Sequence, residues 1–150
     1  MTDASSTPTT PPLTGQDINL AASATRRLLV ANLVPLGITF EQSIVINQVG
    51  SGRVASETAL AALLRKGLQL SDAEIESLLA TMADADLVGR GDGGALTLTV
   101  HGHRTFERSA AVVAGLVAEL YAGFASGELA RTREILAEIT ARAEARLAAA

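Results

Sequence analysis

The stretch from Ser71 to Gly102, SDAEIESLLATMADADLVGRGDGGALTLTVHG, decides the fold. Ser71-Asp-Ala-Glu74 has the spacing of a capping box, in which a serine hydroxyl and a glutamate three residues on satisfy each other's open backbone N–H groups. Ile75, Leu78, Leu79 and Met82 then fall at i, i+3, i+4 and i+7, one stripe of a helix. Leu87-Val-Gly-Arg90, the turn Gly91-Asp-Gly-Gly94 and Leu96-Thr-Leu-Thr-Val100 read as strand, turn and strand. The alternation of apolar residues with threonine places one face of the second strand on the protein and the other in water. Between Ser71 and Asp86 stand five acids, Asp72, Glu74, Glu76, Asp84 and Asp86, and no lysine or arginine.

Outward from this stretch the chain reads as helices. Residues 1–13 are rich in Ser, Thr and Pro and are expected to be a disordered tail. A helix is expected from Thr14 to Val34, with Ile18, Ala21, Leu28, Leu29 and Leu33 on its apolar face; Pro35 ends it by disfavouring helical geometry at Val34. Thr39-Phe-Glu-Gln42 is a second capping box. It outweighs the β-branched composition of the run up to Val49, which on propensity alone suits a strand. Ser56 caps a third helix, from Glu57 to about Lys66, burying Leu60, Leu63 and Leu64 and ending at Gly67. Two helices close the chain, about Val100 to Ala125 and Gly127 to the end. The last has a stripe of Leu136, Ile139, Ala143 and Leu147, and Glu138 and Arg142 one turn apart on its outer face.

Composition removes several classes of function. The 150 residues suit one domain; 48% are apolar but only 3% aromatic, a balance that favours helices. No cysteine occurs, which excludes disulfides, thiolate zinc sites and cysteine nucleophiles. No apolar run is long enough to span a bilayer, so a cytoplasmic protein without membrane contact is expected. The glycine-rich stretches lack the P-loop lysine and the dinucleotide-binding spacing, and no serine sits in a G-x-S-x-G elbow. His101 and His103 lack further ligands for a metal. The residues point to no enzyme, no cofactor and no metal.

Several segments resemble the MarR family of bacterial winged-helix regulators. Pro35-Leu-Gly-Ile-Thr39 with Gln42 resembles that family's lead into its second helix. Leu98-Thr-Val-His-Gly102 is similar to the "LT-x-x-G" that closes its wing, and Glu128-Leu129 with Leu136 to the "EL…L" of its last helix. The resemblance runs from about Gln16 to Leu147. It implies a mainly α winged helix-turn-helix with a small β-hairpin wing. It also implies an intertwined homodimer, built from helices in 14–34 and 100–150, with a DNA-binding lobe over about 39–99. Leu20, Leu116, Leu120, Leu136, Ile139 and Leu147 are the candidate dimer-interface residues. Double-stranded DNA and a small lipophilic or phenolic ligand are the implied partners. The chain departs from the family in a longer span from Leu60 to Leu87, a short wing without the "D-x-R" arginine, and the acids of its reading helix.

Those acids set the functional question. Asp72 and Glu74 favour the positive end of their own helix by roughly 0.3–1 kcal/mol each. Against DNA, a carboxylate about 6 Å from a phosphate at an effective dielectric of ~20 is repelled by about 3 kcal/mol before screening. Arg53, Arg65, Lys66 and Arg90, with Ser77 on the helix itself, are the candidate DNA contacts. Asp72, Glu74 and Glu76 are the acids that oppose them, and the balance predicts weak, salt-sensitive binding. Arg26, Arg27, Arg104 and Arg108 are assigned to the dimer side. The favoured expectation is a ligand-responsive transcriptional regulator. The alternative is a dimer of the same fold that has lost DNA binding and serves as a small-molecule-binding or protein-interaction module.

Overall fold

The computed structural model describes residues 12–150, so most of the expected tail lies outside the described residues. Helix α1 spans Gly15–Leu33, opened by a capping box between Thr14 and Asp17. Val34–Leu36 continues as a 3-10 turn with Pro35 at its start. Helix α2 follows as Phe40–Gly50, and its Thr39–Gln42 capping box is formed. The β-branched residues of α2 are helical because Val45, Ile46 and Val49 then share one buried face. Burial and the cap together override strand propensity.

Helix α3 is Glu57–Leu68, capped by Ser56, and α4 is Asp72–Asp84, capped by Ser71. The expected end of α3 at Gly67 is corrected: the helix runs through Gly67, and Gln69 takes the left-handed conformation that stops it, at φ 56°. Three residues therefore join α3 to α4. Strands β1 (Val88–Arg90) and β2 (Leu96–Leu98) form an antiparallel hairpin in which Val88 pairs with Leu98 and Arg90 with Leu96. Both strands are shorter than expected, and Ala95 also bridges Ser56, which ties the hairpin to the start of α3. Helix α5 is Val100–Leu120, ending earlier than expected, and α6 is Ser126–Ala148.

These elements divide into two compact units, one ending at Val113 and one of Ala114–Ala150. The first has the core. Leu33, Val45, Ile46, Leu60, Leu64, Leu79 and Met82 are all but inaccessible, and Val88, Leu96 and Leu98 of the hairpin close over them. Gly102, in the first turn of α5, lies so close to the backbone that a Cβ there would stand 2.0 Å from the Leu87 carbonyl oxygen. In the second unit no residue of α6 is buried; Leu120, Tyr121, Phe124, Leu136, Ile139 and Leu147 are all exposed. Among the described residues no single helix is long and apolar enough to cross a membrane.

Candidate nucleic-acid interface

The sequence places a short turn between two capped helices and a hairpin behind them, and α3, α4 and the β1–β2 hairpin realise that plan. Ile75, Leu79 and Met82 hold α4 on the core, which leaves Ala73, Ser77, Ala80 and Thr81 in solvent. These exposed residues are small and neutral. The acids lie around them, and each of the first three is engaged.

Glu74 turns back on its own cap. Its carboxylate accepts from the Ser71 backbone N–H at 2.8 Å and from the Ser71 hydroxyl at 2.7 Å. Those two hydrogen bonds, the backbone one foremost, hold its carboxyl below the usual glutamate range. Asp72 accepts from Arg65 Nε at 2.6 Å, a bond from the last turn of α3 to the first turn of α4. Both partners are exposed, so the pair neutralises charge but adds little stability, roughly 0–1 kcal/mol.

Glu76 belongs to a larger arrangement. Arg90, at the end of β1, donates from Nη1 and Nη2 to the two oxygens of Glu76, at 2.8 and 3.0 Å. From Nε and Nη2 it also donates to the two oxygens of Glu57, at 2.7 and 2.9 Å. One guanidinium thus forks onto two carboxylates, from the first turn of α3 and the middle of α4. Its hydrogen bonds hold both carboxyls below the usual glutamate range, and the carboxylates in turn raise the arginine's pKa. Between α3 and α4, Glu57 and Glu76 line a cavity of about 260 Å³ together with Arg65, Asp72, Ile75 and Leu79.

The remaining candidates separate. Arg53 is exposed in the turn between α2 and α3, and its side chain has no hydrogen bond or ion pair with any described residue. Lys66 stands in the last turn of α3, and Ser77 lines a second groove with Thr39 and Gln42. Asp84 is exposed at the end of α4, and Asp86 serves the following turn at φ 56°, its carbonyl accepting from the Thr99 hydroxyl. Arg26 pairs with Glu41 at 3.3 Å and lies 4.3 Å above the Phe40 ring, so it ties α1 to α2. Glu57 is the residue that sequence reading missed: a first-turn acid, 33 positions from its partner, carried no sign of that contact.

No protein-family model matches the chain, and no curated protein matches it. Solved structures do. The reduced form of MarR from E. coli is 25% identical with a TM-score of 0.66, over 87% of this chain and 94% of that one. The MarR family protein Rv2887 of Mycobacterium tuberculosis, crystallised with DNA, is 22% identical with a TM-score of 0.65, over 87% and 98% of the two chains; it has also been crystallised with salicylic acid. The S. aureus MepR–DNA complex is 15% identical with a TM-score of 0.72, over 86% and 96%. In element order, hairpin and helix-turn-helix, this chain has the winged helix-turn-helix fold of the MarR family.

Proposed function

We propose that the chain is a cytoplasmic, ligand-responsive transcriptional regulator without catalytic activity, binding double-stranded DNA as a homodimer. Helices within 14–34 and 100–150 are assigned to the dimer, and the lobe over about 39–99 to DNA. The observation that carries this reading is the state of α4. Its first three acids are bonded to Ser71, Arg65 and Arg90, so the exposed residues between them are small and neutral. A carboxylate paired with a guanidinium repels a phosphate far less than a bare one, because the two fields largely cancel beyond a few ångströms. The DNA and salicylic acid complexes of Rv2887 support the two partner classes.

The same pairs favour a second reading. Arg65 and Arg90 are held by carboxylates, so they reach phosphates only by exchanging partners. Arg53 is left as the phosphate contact of first resort, and a lobe with so few available cations also suits a dimer that no longer binds DNA.

Fluorescence anisotropy with DNA from upstream of its own gene, across a salt series, separates the two. Regulation predicts sequence-specific binding that weakens with salt. Arg53→Ala then lowers affinity on every sequence and makes the log–log salt slope shallower by about 2, at ~0.9 per lost phosphate contact and two contacts per dimer. Absence of binding even at low salt overturns the regulator and leaves the second reading.

A further inference from the structure

Helix α4 presents to solvent a row unlike the rest of its surface. Ala73, Ser77, Ala80 and Thr81, at i, i+4, i+7 and i+8, are all exposed and share one face. The Thr81 hydroxyl donates to the Ser77 carbonyl at 2.9 Å, so its proton is used inside the helix and its methyl is left for a partner. The Ser77 hydroxyl has no partner among the described residues. The row therefore offers three methyl groups and a single hydroxyl, all on short side chains. Asp84 shares this face but stands at the C-terminal end of α4, whereas a reading helix meets base edges with its N-terminal residues.

The bases differ in what such a row can grip. Every base edge in the major groove carries hydrogen-bonding atoms, but thymine alone adds a methyl, at C5. Guanine is recognised by Arg or Lys on O6 and N7, and adenine by Asn or Gln on N6 and N7. Residues 72–84 include none of these four types. A carboxylate can accept from cytosine N4. Here, however, Glu76 has both oxygens on Arg90, Asp72 is held by Arg65, and Glu74 turns back to Ser71. Short side chains let the helix lie close to the bases, and contact between methyl groups removes apolar surface of both partners from water.

We propose that α4 selects its operator by apolar contact with thymine C5 methyls, through Ala73, Ala80 and Thr81, rather than by hydrogen bonds to guanine or adenine. The inference rests on the DNA-binding function proposed above and names the base that is read. The same chemistry extends to 5-methylcytosine, which has its methyl at the same ring position.

The test starts from duplexes selected on the full-length protein from a random-sequence pool at low salt. The enriched duplex is remade with deoxyuridine for thymine, one symmetric pair at a time, and its affinity measured by fluorescence anisotropy. Losing one methyl contact is expected to cost about fourfold, and a pair across two half-sites about tenfold or more. At such a position 5-methylcytosine is expected to bind several-fold tighter than cytosine. Ala73→Gly and Thr81→Ser, the second of which keeps the hydroxyl, each remove one methyl. Each is expected to erase the thymine–uracil difference at one pair while leaving affinity for the uracil duplex unchanged. A merely structural role would weaken both duplexes alike. Equal affinity for thymine and uracil duplexes at every position overturns the proposal. So does enrichment of guanine at the contacted positions, a cytosine preference that disappears in Glu74→Gln, or a thymine preference that survives in full in both variants. Absence of binding to any duplex removes the regulator and this inference together; sequence-specific binding indifferent to uracil removes this inference alone.

Discussion

Arg90 makes four hydrogen bonds to two carboxylates and so decides the charge of the surface around α4. The consequence for pH has a definite sign. Glu57 and Glu76 are held below the ordinary glutamate pKa by Arg90, and Glu74 by Ser71. A carboxyl whose pKa is lower in the folded than in the unfolded protein adds stability above its unfolded value, about 4.3, and loses it as pH falls through its folded value. Melting temperature is therefore expected to fall on acidification below about pH 4.5. In Arg90→Met that dependence flattens, because Glu57 and Glu76 return towards ordinary behaviour; melts between about pH 3 and pH 6 measure it. The sequence displayed the acids and the arginine, but not their pairing. Glu76 and Glu57 lie 14 and 33 positions from Arg90, and only the packing of α3, α4 and β1 brings them together.

At the scale of the element, local signals were readable where one residue type performs a fixed task. The capping boxes at Thr39 and Ser71 gave the starts of α2 and α4, because hydroxyl and carboxylate or carboxamide spacing alone defines them. The end of α3 was misread because glycine is only the commonest way to stop a helix, and here Gln69 adopts the left-handed conformation instead. Gly67 is thus an ordinary helical position with open space where a side chain would go. Gly67→Ala is expected to stabilise by about 0.5–1 kcal/mol. Gly102→Ala is expected to destabilise by about 3 kcal/mol or more, because its Cβ collides with the backbone at Leu87 rather than with a movable side chain. Urea denaturation midpoints of the two variants should move in opposite directions.

At the scale of the whole molecule, α6 is the clearest anomaly of a single chain. Its 23 residues include none that is buried, and Leu136 and Ile139 stand exposed with Leu120 and Phe124 of the second unit. A helix with an uncovered apolar stripe is unstable in water on its own, since most helical stability in proteins comes from packing that stripe. A second copy of the chain is the expected cover. Leu136→Asp combined with Ile139→Asp should convert a dimer to a monomer in sedimentation velocity and reduce helical circular dichroism. Unchanged sedimentation would assign the stripe elsewhere. Periodicity alone revealed the stripe; what covers it came only from resemblance, because a pattern within one chain specifies a face and not the surface that meets it.

The turn between α5 and α6 has an optical consequence. The chain has no tryptophan and one tyrosine, Tyr121, half-exposed where α5 gives way to that turn. Ultraviolet fluorescence excited near the tyrosine band therefore originates from a single point in the second unit. The winged lobe is dark at that wavelength, and any change in emission lifetime or quenching reports on the neighbourhood of Tyr121 alone.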